Sequence, residues 1–405
     1  MESIKIILLI IVHCTFYIIN CPAQWQQVNC PNNPWITNFS LYGTTILAGS
    51  NEKGLYKSID EGLNWVQSDS GLPENAPVKA ITYFDGDFYA GIDGGVSADY
   101  SVFRSTDNGE TWFSIGWFSE TVLSMVVKDQ KVFVSFLDTG IKYTTDKGNS
   151  WVDAGLSGKR VRSLVTFDQY LFAGYWGVYK TTNDGVTWDT TGLSDKYIYD
   201  LDYSQGSIYA ATSNGMYSSS DDGLNWNKIF TGGQTTKLVI GVKVINGYIF
   251  AATQHDGIFQ STDNGVNWSN IGEGLTSSIL YSVDASNNYL FTTTNNSIWR
   301  RPLSELLTDV EPGKTQPAEF KLEQNYPNPF NPNTTISWQS PVSCWQTIKM
   351  FNSLGQEVET IIDGYYEAGT HSKLYIINSS LPSGVYFYQI NAGNFLQTRK
   401  MILMK

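Results

Sequence analysis

The sequence is poor in the residues that build disulfide frameworks and metal centres. Its 405 residues include 4 cysteines and 3 histidines. Cys14 and Cys21 lie in the apolar N-terminal segment, so only Cys30 and Cys344 remain beyond it. A disulfide framework, a CxxC metal site and a zinc cluster are therefore not expected. Nothing in the sequence indicates a cofactor.

Charge is also scarce, and cations are scarcer than acids. Charged residues make up 16% of the chain, with 26 Lys and Arg against 38 Asp and Glu, for a net charge of -12. An acidic surface disfavours nucleic acid and anionic membranes as partners. Aromatic residues reach 14%, and there are 36 glycines. This composition favours short strands joined by tight turns and leaves little material for exposed helices.

Long apolar runs are absent except at the N-terminus, which reads MESIKIILLIIVHCTFYIINCPAQ. Lys5 precedes an apolar run that ends at Ile19, and small residues precede Ala23. We interpret residues 1–23 as a secretory signal cleaved after Ala23. A membrane anchor is the alternative, but the run is short for one and His13 interrupts it. No transmembrane span is expected after cleavage.

One octet of residues recurs six times along the chain. The copies are SIDEGLNW (58–65), STDNGETW (105–112), TTDKGNSW (144–151), TTNDGVTW (181–188), SSDDGLNW (219–226) and STDNGVNW (261–268). A repeat of roughly 40 residues is too long for one hairpin and is typical of a four-stranded propeller blade.

Each unit has the same order of elements. A β-branched run is followed by an aromatic strand ending in small residues, such as YIFAAT (248–253), then by a third strand that leads into the octet. The alternation has a period of two residues, which indicates strands. In the octet, the Ser or Thr and the Asp accept backbone N–H groups, and the Gly supplies a positive φ. The Trp is predicted to pack back across its own hairpin.

These octets resemble the Asp-boxes of sialidase-like β-propellers, also known as BNR repeats. In that family the boxes lie between the third and fourth strands, away from the ligand face. The resemblance implies a structural role for the aspartate positions, and Asn183 in the fourth copy offers the same acceptor oxygen as an aspartate. The six positions are Asp60, Asp107, Asp146, Asn183, Asp221 and Asp263.

Sialidase activity itself is not expected. That family binds the sialic carboxylate with three arginines that converge from different blades. The predicted propeller contains only Arg104, Arg160, Arg162, Arg300 and Arg301, and its first blade contains none.

A seventh unit over 280–301 lacks its octet, because Pro302 stands where the octet would begin. Trp25 precedes Trp65 by one repeat length, so the strand around Trp25–Val28 is predicted to complete the seventh blade. We therefore predict an all-β fold with a closed seven-bladed β-propeller over residues 24–303. An open or six-bladed ring with a loose N-terminal arm is the alternative.

A second domain is predicted after the propeller. Residues 304–320 are polar and read as a linker, and residues 321–405 alternate as in a small immunoglobulin-like β-sandwich. The segments NYPNPFNPNTTI, FNSLGQEVETII, LPSGVYFYQI and TRKMILMK resemble the type A C-terminal sorting domain of the type IX secretion system. The resemblance implies that the secretion machinery is a partner. It also implies that the product is secreted or held at the outer-membrane surface of a Gram-negative bacterium. An ordinary adhesion module is the alternative.

The ligand face is predicted where the loops between second and third strands meet the loops between blades. Its candidate residues are Asp93, Asp99, Asp138, Trp176, Tyr197 and Asp256. The favoured hypothesis is binding of an extracellular glycan or protein without catalysis. A glycoside hydrolase that uses two carboxylates of this face is the second hypothesis, for which a carboxyl pair about 5–9 Å apart would speak. A role as an assembly factor is the third.

Overall fold

The structure of the protein is a computed structural model. It describes residues 24–42, 44–94, 101–116, 118–295, 297–307, 319–342, 344–366, 369–376, 381–393 and 395–404. The predicted signal segment and Asp99 lie outside the described residues. Strands dominate the described chain, and its one helix is a single turn. That helix is too short to cross a membrane, and no other described segment forms a membrane-spanning helix.

The N-terminal part consists of 26 strands. In chain order they are β1 (Gln26–Gln27), β2 (Ile36–Tyr42), β3 (Thr45–Ser50), β4 (Leu55–Ser58), β5 (Val66–Gln67), β6 (Val78–Phe84), β7 (Asp87–Ile92), β8 (Val102–Ser105), β9 (Phe113–Gly116), β10 (Val122–Lys128), β11 (Lys131–Phe136), β12 (Ile141–Thr144), β13 (Val152–Asp153), β14 (Ser163–Phe167), β15 (Tyr170–Thr181), β16 (Asp189–Ser204), β17 (Ser207–Thr212), β18 (Gly215–Ser219), β19 (Asn227–Phe230), β20 (Val239–Ile245), β21 (Tyr248–Thr253), β22 (Ile258–Ser261), β23 (Ser269–Asn270), β24 (Ser282–Ala285), β25 (Tyr289–Thr294) and β26 (Ser297–Pro302).

These strands form antiparallel sheets in which consecutive strands pair. The sheets β2–β5, β6–β9, β10–β13 and β20–β23 have four strands each, and β14–β19 form one sheet of six. In the larger sheet, β15 contains the second and third strands of the fourth unit, with a turn near Trp176. Strand β16 contains the fourth strand of that unit and the first strand of the fifth unit. The backbone pair Trp176 and Tyr197 joins the two units at this point. Divided there, the six-stranded sheet contains two units of four strands.

The seventh unit is completed from the N-terminus, as the sequence predicts. Strand β1 pairs with β26, with Gln26 opposite Arg300, in a sheet ordered β1-β26-β25-β24. The innermost strands touch one another in a cycle that runs β2, β6, β10, β14, β16, β20, β24 and back to β2. The described residues therefore form seven four-stranded units in a closed ring. The all-β propeller fold is confirmed.

The core lies between neighbouring sheets rather than at the centre of the ring. Leu47, Phe88 and Trp112 pack between the first two units, and Trp65 and Phe291 pack where the last unit meets the first. The second strand of each unit is almost completely buried, since sheets cover both of its faces. Burial of this apolar surface is the main stabilising contribution to ring closure.

The octets form the turns between third and fourth strands, and their aspartates serve those turns. In the second copy, Asp107 Oδ1 accepts hydrogen bonds from Ser105 Oγ at 2.8 Å and from Thr111 N–H at 2.9 Å. Gly109 N–H donates to Ser105 Oγ, and Gly109 has φ +84°, which a side chain would strain. The same bonds recur around the ring, and Asn183 makes them through its own Oδ1.

The octet tryptophans differ from the sequence prediction. Most of them also contact the preceding unit, because their indole N–H groups donate to its main-chain carbonyls. The pairs are Trp112 with Ser68, Trp151 with Ile115, Trp188 with Ala154 and Trp268 with Ile229. Trp25 repeats this contact with Ile271, whereas Trp65 bonds Gly62 of its own turn. Sheets packed face to face are about 10 Å apart, and an indole is long enough to span that gap.

The segment predicted as a linker, residues 304–320, begins within a short helix that packs against the propeller. Helix α1 (Leu303–Leu306) buries Leu303 and Leu306 against the last two units of the propeller. The packed propeller therefore extends past residue 303, because these two leucines give the segment an apolar face to bury.

The C-terminal domain is a β-sandwich, as the sequence predicts. Its strands are β27 (Lys321–Leu322), β28 (Asn333–Ser340), β29 (Cys344–Phe351), β30 (Glu357–Tyr366), β31 (Gly369–Ile376), β32 (Gly384–Ala392) and β33 (Phe395–Leu403). One sheet is ordered β27-β28-β31 and the other β30-β29-β32-β33. Trp338, Tyr388 and Phe330 are among the buried side chains between them. Cys30 and Cys344 are both free thiols.

Candidate functional site

The two ends of the propeller carry different sets of turns and loops, because its strands alternate in direction. The octet turns and the turns after the first strands lie at one end. The loops after the second strands and the connections between units lie at the other end, where the central channel opens. We call this second end the mouth face.

A recurrent irregularity lies at the top of the innermost strands. In five units the pairing with the second strand skips one residue, for example Lys79 between Val78 and Ala80, and Tyr199 between Ile198 and Asp200. In the other two units, Arg162 and Tyr281 occupy the same position and donate their N–H groups to the second strand. The seven equivalent residues are Thr37, Lys79, Leu123, Arg162, Tyr199, Ile240 and Tyr281.

We call these seven residues the mouth ring. A β-bulge turns the extra side chain away from the regular alternation. The residues that precede the ring positions, such as Val78, Val161 and Ile198, are fully buried. The ring residues themselves are partly or largely accessible. The mouth ring therefore presents one side chain from each unit at the opening of the channel, and five of these seven side chains are extra residues of a bulge.

An aromatic cluster with one cation lies where the fourth and fifth units meet. The Arg162 guanidinium lies 5.9 Å from the ring centre of Tyr197 and 5.8 Å from that of Tyr199. The Trp176 ring meets Tyr197 edge to face at 5.4 Å, and the Tyr175 ring lies 6.0 Å from Tyr197. Trp176 is 48% exposed, so its indole ring offers an apolar face to solvent. We call these five residues the aromatic platform.

A second cation faces the mouth from the second unit. Lys79 Nζ donates to Asn51 Oδ1, and Asp93 of the same unit accepts a hydrogen bond from Thr121 Oγ1 at 2.7 Å. Burial lowers the pKa of Lys79, Asp93 opposes this shift, and the positive charge of Arg162 adds to it. Lys79 therefore lies within the electrostatic influence of both Asp93 and Arg162.

The remaining predicted carboxylates serve their own loops. Asp256 accepts N–H groups from Thr235 and Thr236 at 2.9 Å each, and it fixes the loop between the fifth and sixth units. Burial opposes ionisation of Asp256, but these hydrogen bonds outweigh it and hold its pKa below the ordinary value. Asp138 is exposed and has a 3.9 Å ion pair with Arg160.

The structure thus separates the candidates into groups. Trp176 and Tyr197 belong to one platform, Asp93 lies beside Lys79, and Asp138 and Asp256 lie in their own loops. The prediction missed Lys79, Arg162 and Tyr199. A column alignment of the first strands, PVKAIT with RVRSLV and YIYDLD, would have placed these three at one position. Among the described residues, no group of three or more His, Cys, Asp or Glu is arranged to hold a metal ion.

The comparisons with known proteins agree with this architecture. Residues 324–404 match the family described as the secretion system C-terminal sorting domain. The chain is therefore a β-propeller protein that carries a type IX secretion system sorting domain at its C-terminus. That domain marks it as a protein exported to the cell surface or beyond. No curated protein sequence matches the chain.

Several solved structures have a similar fold. One is YCF48 bound to D1 peptide, with a TM-score of 0.57 and 14% identity over 69% of this chain and 95% of that chain. Another is the extracellular domain of the putative hybrid two-component system BT3049 from B. thetaiotaomicron, with a TM-score of 0.58 and 14% identity over 95% and 58%. A third is the GH74 enzyme of Niastella koreensis, with a TM-score of 0.57 and 14% identity over 78% and 59%. At such identities the likeness concerns the fold alone.

Proposed function

We propose that the protein is an exported binding protein that engages an extracellular glycan through the mouth face, without catalysis. The observation that carries this proposal is the aromatic platform, in which Trp176 is half exposed beside Tyr197 and Arg162. Flat aromatic rings bury the C–H faces of sugar rings, and neighbouring polar groups set the orientation of the ligand. The backbone pair between Trp176 and Tyr197 holds the platform on strands rather than on free loops.

The size of the apolar surface favours a glycan over a protein partner. Trp176 and Ile279 are the large apolar side chains that the described part of the mouth face exposes strongly. A stable protein interface buries about 800 Å² on each partner around an apolar centre. A single platform of this kind suits one or two sugar rings instead.

The state of the carboxylates favours binding over hydrolysis. Glycoside hydrolysis needs two carboxyl groups about 5–9 Å apart that are available to substrate and water. Asp93 and Asp256 accept hydrogen bonds from groups of their own surroundings. Asp138 is the described candidate with the most accessible carboxylate, since its side chain is 68% exposed.

The route of export belongs to the same proposal. The predicted signal over residues 1–23 would carry the chain across the inner membrane, and the sorting domain would then bring it to the type IX machinery. The mature protein would be secreted or held at the outer-membrane surface of a Gram-negative bacterium. This destination would place the mouth face where polysaccharides are available.

The test is glycan binding by the mature chain on a panel of neutral and acidic oligosaccharides. Trp176→Ala should weaken binding at least about tenfold, as expected for loss of a central aromatic contact. Tyr42→Ala is the control, because Tyr42 is exposed to a similar extent at the opposite end of the propeller. Absence of binding to every oligosaccharide would refute the proposal. Release of reducing sugar that Asp138→Asn abolishes would replace it with the hydrolase hypothesis.

A further inference from the structure

The mouth ring carries a charge opposite to that of the whole protein. The chain has a net charge of -12, yet the ring contains two cations, Lys79 and Arg162, and no acid. The other five positions are Thr37, Leu123, Tyr199, Ile240 and Tyr281. The two cations occupy equivalent positions two units apart, so both lie at the opening of the same channel.

Arg162 differs from the other arginines of the propeller in its contacts. Arg104 pairs with Asp87 at 2.6 Å, and Arg301 lies 3.5 Å from Glu305. Arg300 is 7% exposed and donates to the main-chain oxygen of Glu61. In the described part of the chain, the contacts of Arg162 are with the rings of Tyr197 and Tyr199, and its side chain is exposed. Its five N–H donors are thus presented next to an apolar surface.

The repulsion between Lys79 and Arg162 supports an anionic ligand. Burial lowers the pKa of Lys79, Asp93 opposes this shift, and the positive charge of Arg162 adds to it. A bound anion would relieve that repulsion. The planar guanidinium matches a carboxylate with two parallel hydrogen bonds, which a neutral sugar hydroxyl does not offer.

We propose that the ligand is an acidic polysaccharide. Arg162 binds the carboxylate of a uronic acid residue, Lys79 contributes a second positive charge across the mouth, and Trp176 and Tyr197 hold the sugar ring. This inference rests on the glycan binding proposed above and names the chemical class of the glycan. An acidic peptide offers the same carboxylate chemistry, but it would not need the exposed ring of Trp176 and is kept as an outcome of the test.

The experiment is calorimetric titration of the mature chain with oligomers of galacturonate, mannuronate and glucuronate. Each probe is compared with its methyl-esterified form, which keeps the sugar but removes the charge. At least one uronate should bind about tenfold more tightly than its ester, the difference expected for one charge-assisted bidentate contact.

The variants separate the role of charge from that of the aromatic rings. Arg162→Gln should remove the preference for the acid and leave binding of the ester unchanged, and Arg162→Lys should restore part of it. Lys79→Gln should reduce the same preference by a smaller factor. Arg160→Gln is the matched control, because Arg160 lies two residues away, is exposed and pairs with Asp138 instead. Trp176→Ala should weaken acid and ester alike.

Several outcomes would overturn the inference. If the ester binds as well as the acid, or if Arg162→Gln keeps the preference, the inference fails while the proposed glycan binding stands. If neutral oligosaccharides bind and none of the three uronates does, the inference also fails alone. If a poly-glutamate peptide binds in an Arg162-dependent manner and no oligosaccharide binds, both the inference and the proposed function fail.

Discussion

At the scale of single residues, the aspartates of the octet turns are the best-defined polar groups of the propeller. The hydroxyl and N–H groups of Thr111 together lower the pKa of Asp107 to about 2, although the side chain is exposed. Asp221 has the same pKa, in its case through Asn225. These carboxylates have little capacity left for chemistry, because both oxygens already accept hydrogen bonds.

Replacement of Asp107 should therefore change stability and not ligand binding. Asp107→Ala should lower the free energy of unfolding by about 1 kcal/mol, the usual effect of removing a side-chain acceptor from a turn. Asp107→Asn should have a smaller effect, because Asn183 makes the equivalent bonds in the fourth copy. Urea unfolding of the three proteins at neutral pH measures this, and equal losses for both variants would contradict it.

Asp107 should also make the stability of the protein depend on pH in the acidic range. A carboxylate whose pKa is lower in the folded state stabilises the fold above its unfolded pKa, and that contribution is lost as the pH falls through the folded value. For Asp107 the loss should occur between about pH 4 and pH 2. In Asp107→Asn the decline in stability over this interval should be shallower than in the wild type.

At the scale of strands and sheets, the indole contacts between units give a matched pair of substitutions. Trp188 donates to the carbonyl of Ala154 at 2.7 Å, whereas the Trp226 N–H is buried and has no partner among the described residues. Trp188→Phe leaves a buried carbonyl unsatisfied and should reduce the free energy of unfolding by about 1–2 kcal/mol more than Trp226→Phe. Equal losses in chemical unfolding would show that the indole contributes only by packing.

The innermost strand β16 should make stability depend on pH in the opposite direction. Burial raises the pKa of Asp200 to about 7, although Val242 N–H and Ser163 Oγ donate to its carboxylate. A raised pKa favours the folded state below the unfolded pKa, and this advantage is lost as the pH rises from about 4 to about 7.

Asp200→Asn should therefore flatten the profile of stability against pH over that interval. Unfolding at pH 5 and at pH 8 measures the effect, since the wild type should lose more stability between the two than the variant. Asp202, two residues further along the strand, also has a raised pKa, so part of the slope should remain. A variant with the full wild-type slope would show that Asp200 does not carry it.

The strand scale also shows how far sequence reasoning reaches. The repeat of octets was sufficient to predict the propeller, the strand order and the position of Trp25, because each depends on a local pattern or on its period. The mouth ring was not predicted. A bulge adds one residue at Lys79 and shifts the inward and outward alternation of the side chains, and amino-acid composition does not reveal such a shift. The contact of Trp188 with the preceding unit was also missed, because it depends on the distance between neighbouring sheets and not on a local sequence pattern.

At the scale of the whole molecule, charge acts in two ways. The net charge of -12 repels an acidic polysaccharide at long range, while Lys79 and Arg162 attract it at the mouth. Exposed charges are screened beyond about 10 Å at 0.1 M salt, so the repulsion acts mainly on encounter and the local pair on the bound state. An acidic propeller therefore remains compatible with an acidic ligand under saline conditions.

Ring closure is the property of the whole molecule on which the mouth depends. Without β1, strand β26 would become an exposed edge, and the last unit would lose the contact that Trp25 makes with the unit before it. Trp25 is 4% exposed, and its indole N–H donates to Ile271 at 2.8 Å. Trp25→Ala should lower the free energy of unfolding by about 3–5 kcal/mol, as for other buried tryptophans.

The same substitution should make the protein associate, because an open edge strand pairs with other chains. Hydrogen exchange should increase first in β26, and size-exclusion chromatography should show oligomers. Trp345→Ala is the control, since Trp345 is 37% exposed in the C-terminal domain and takes no part in the ring. If Trp25→Ala remains monomeric with unchanged exchange in β26, the N-terminal strand does not hold the ring closed, and the mouth ring must be held by the inner strands alone.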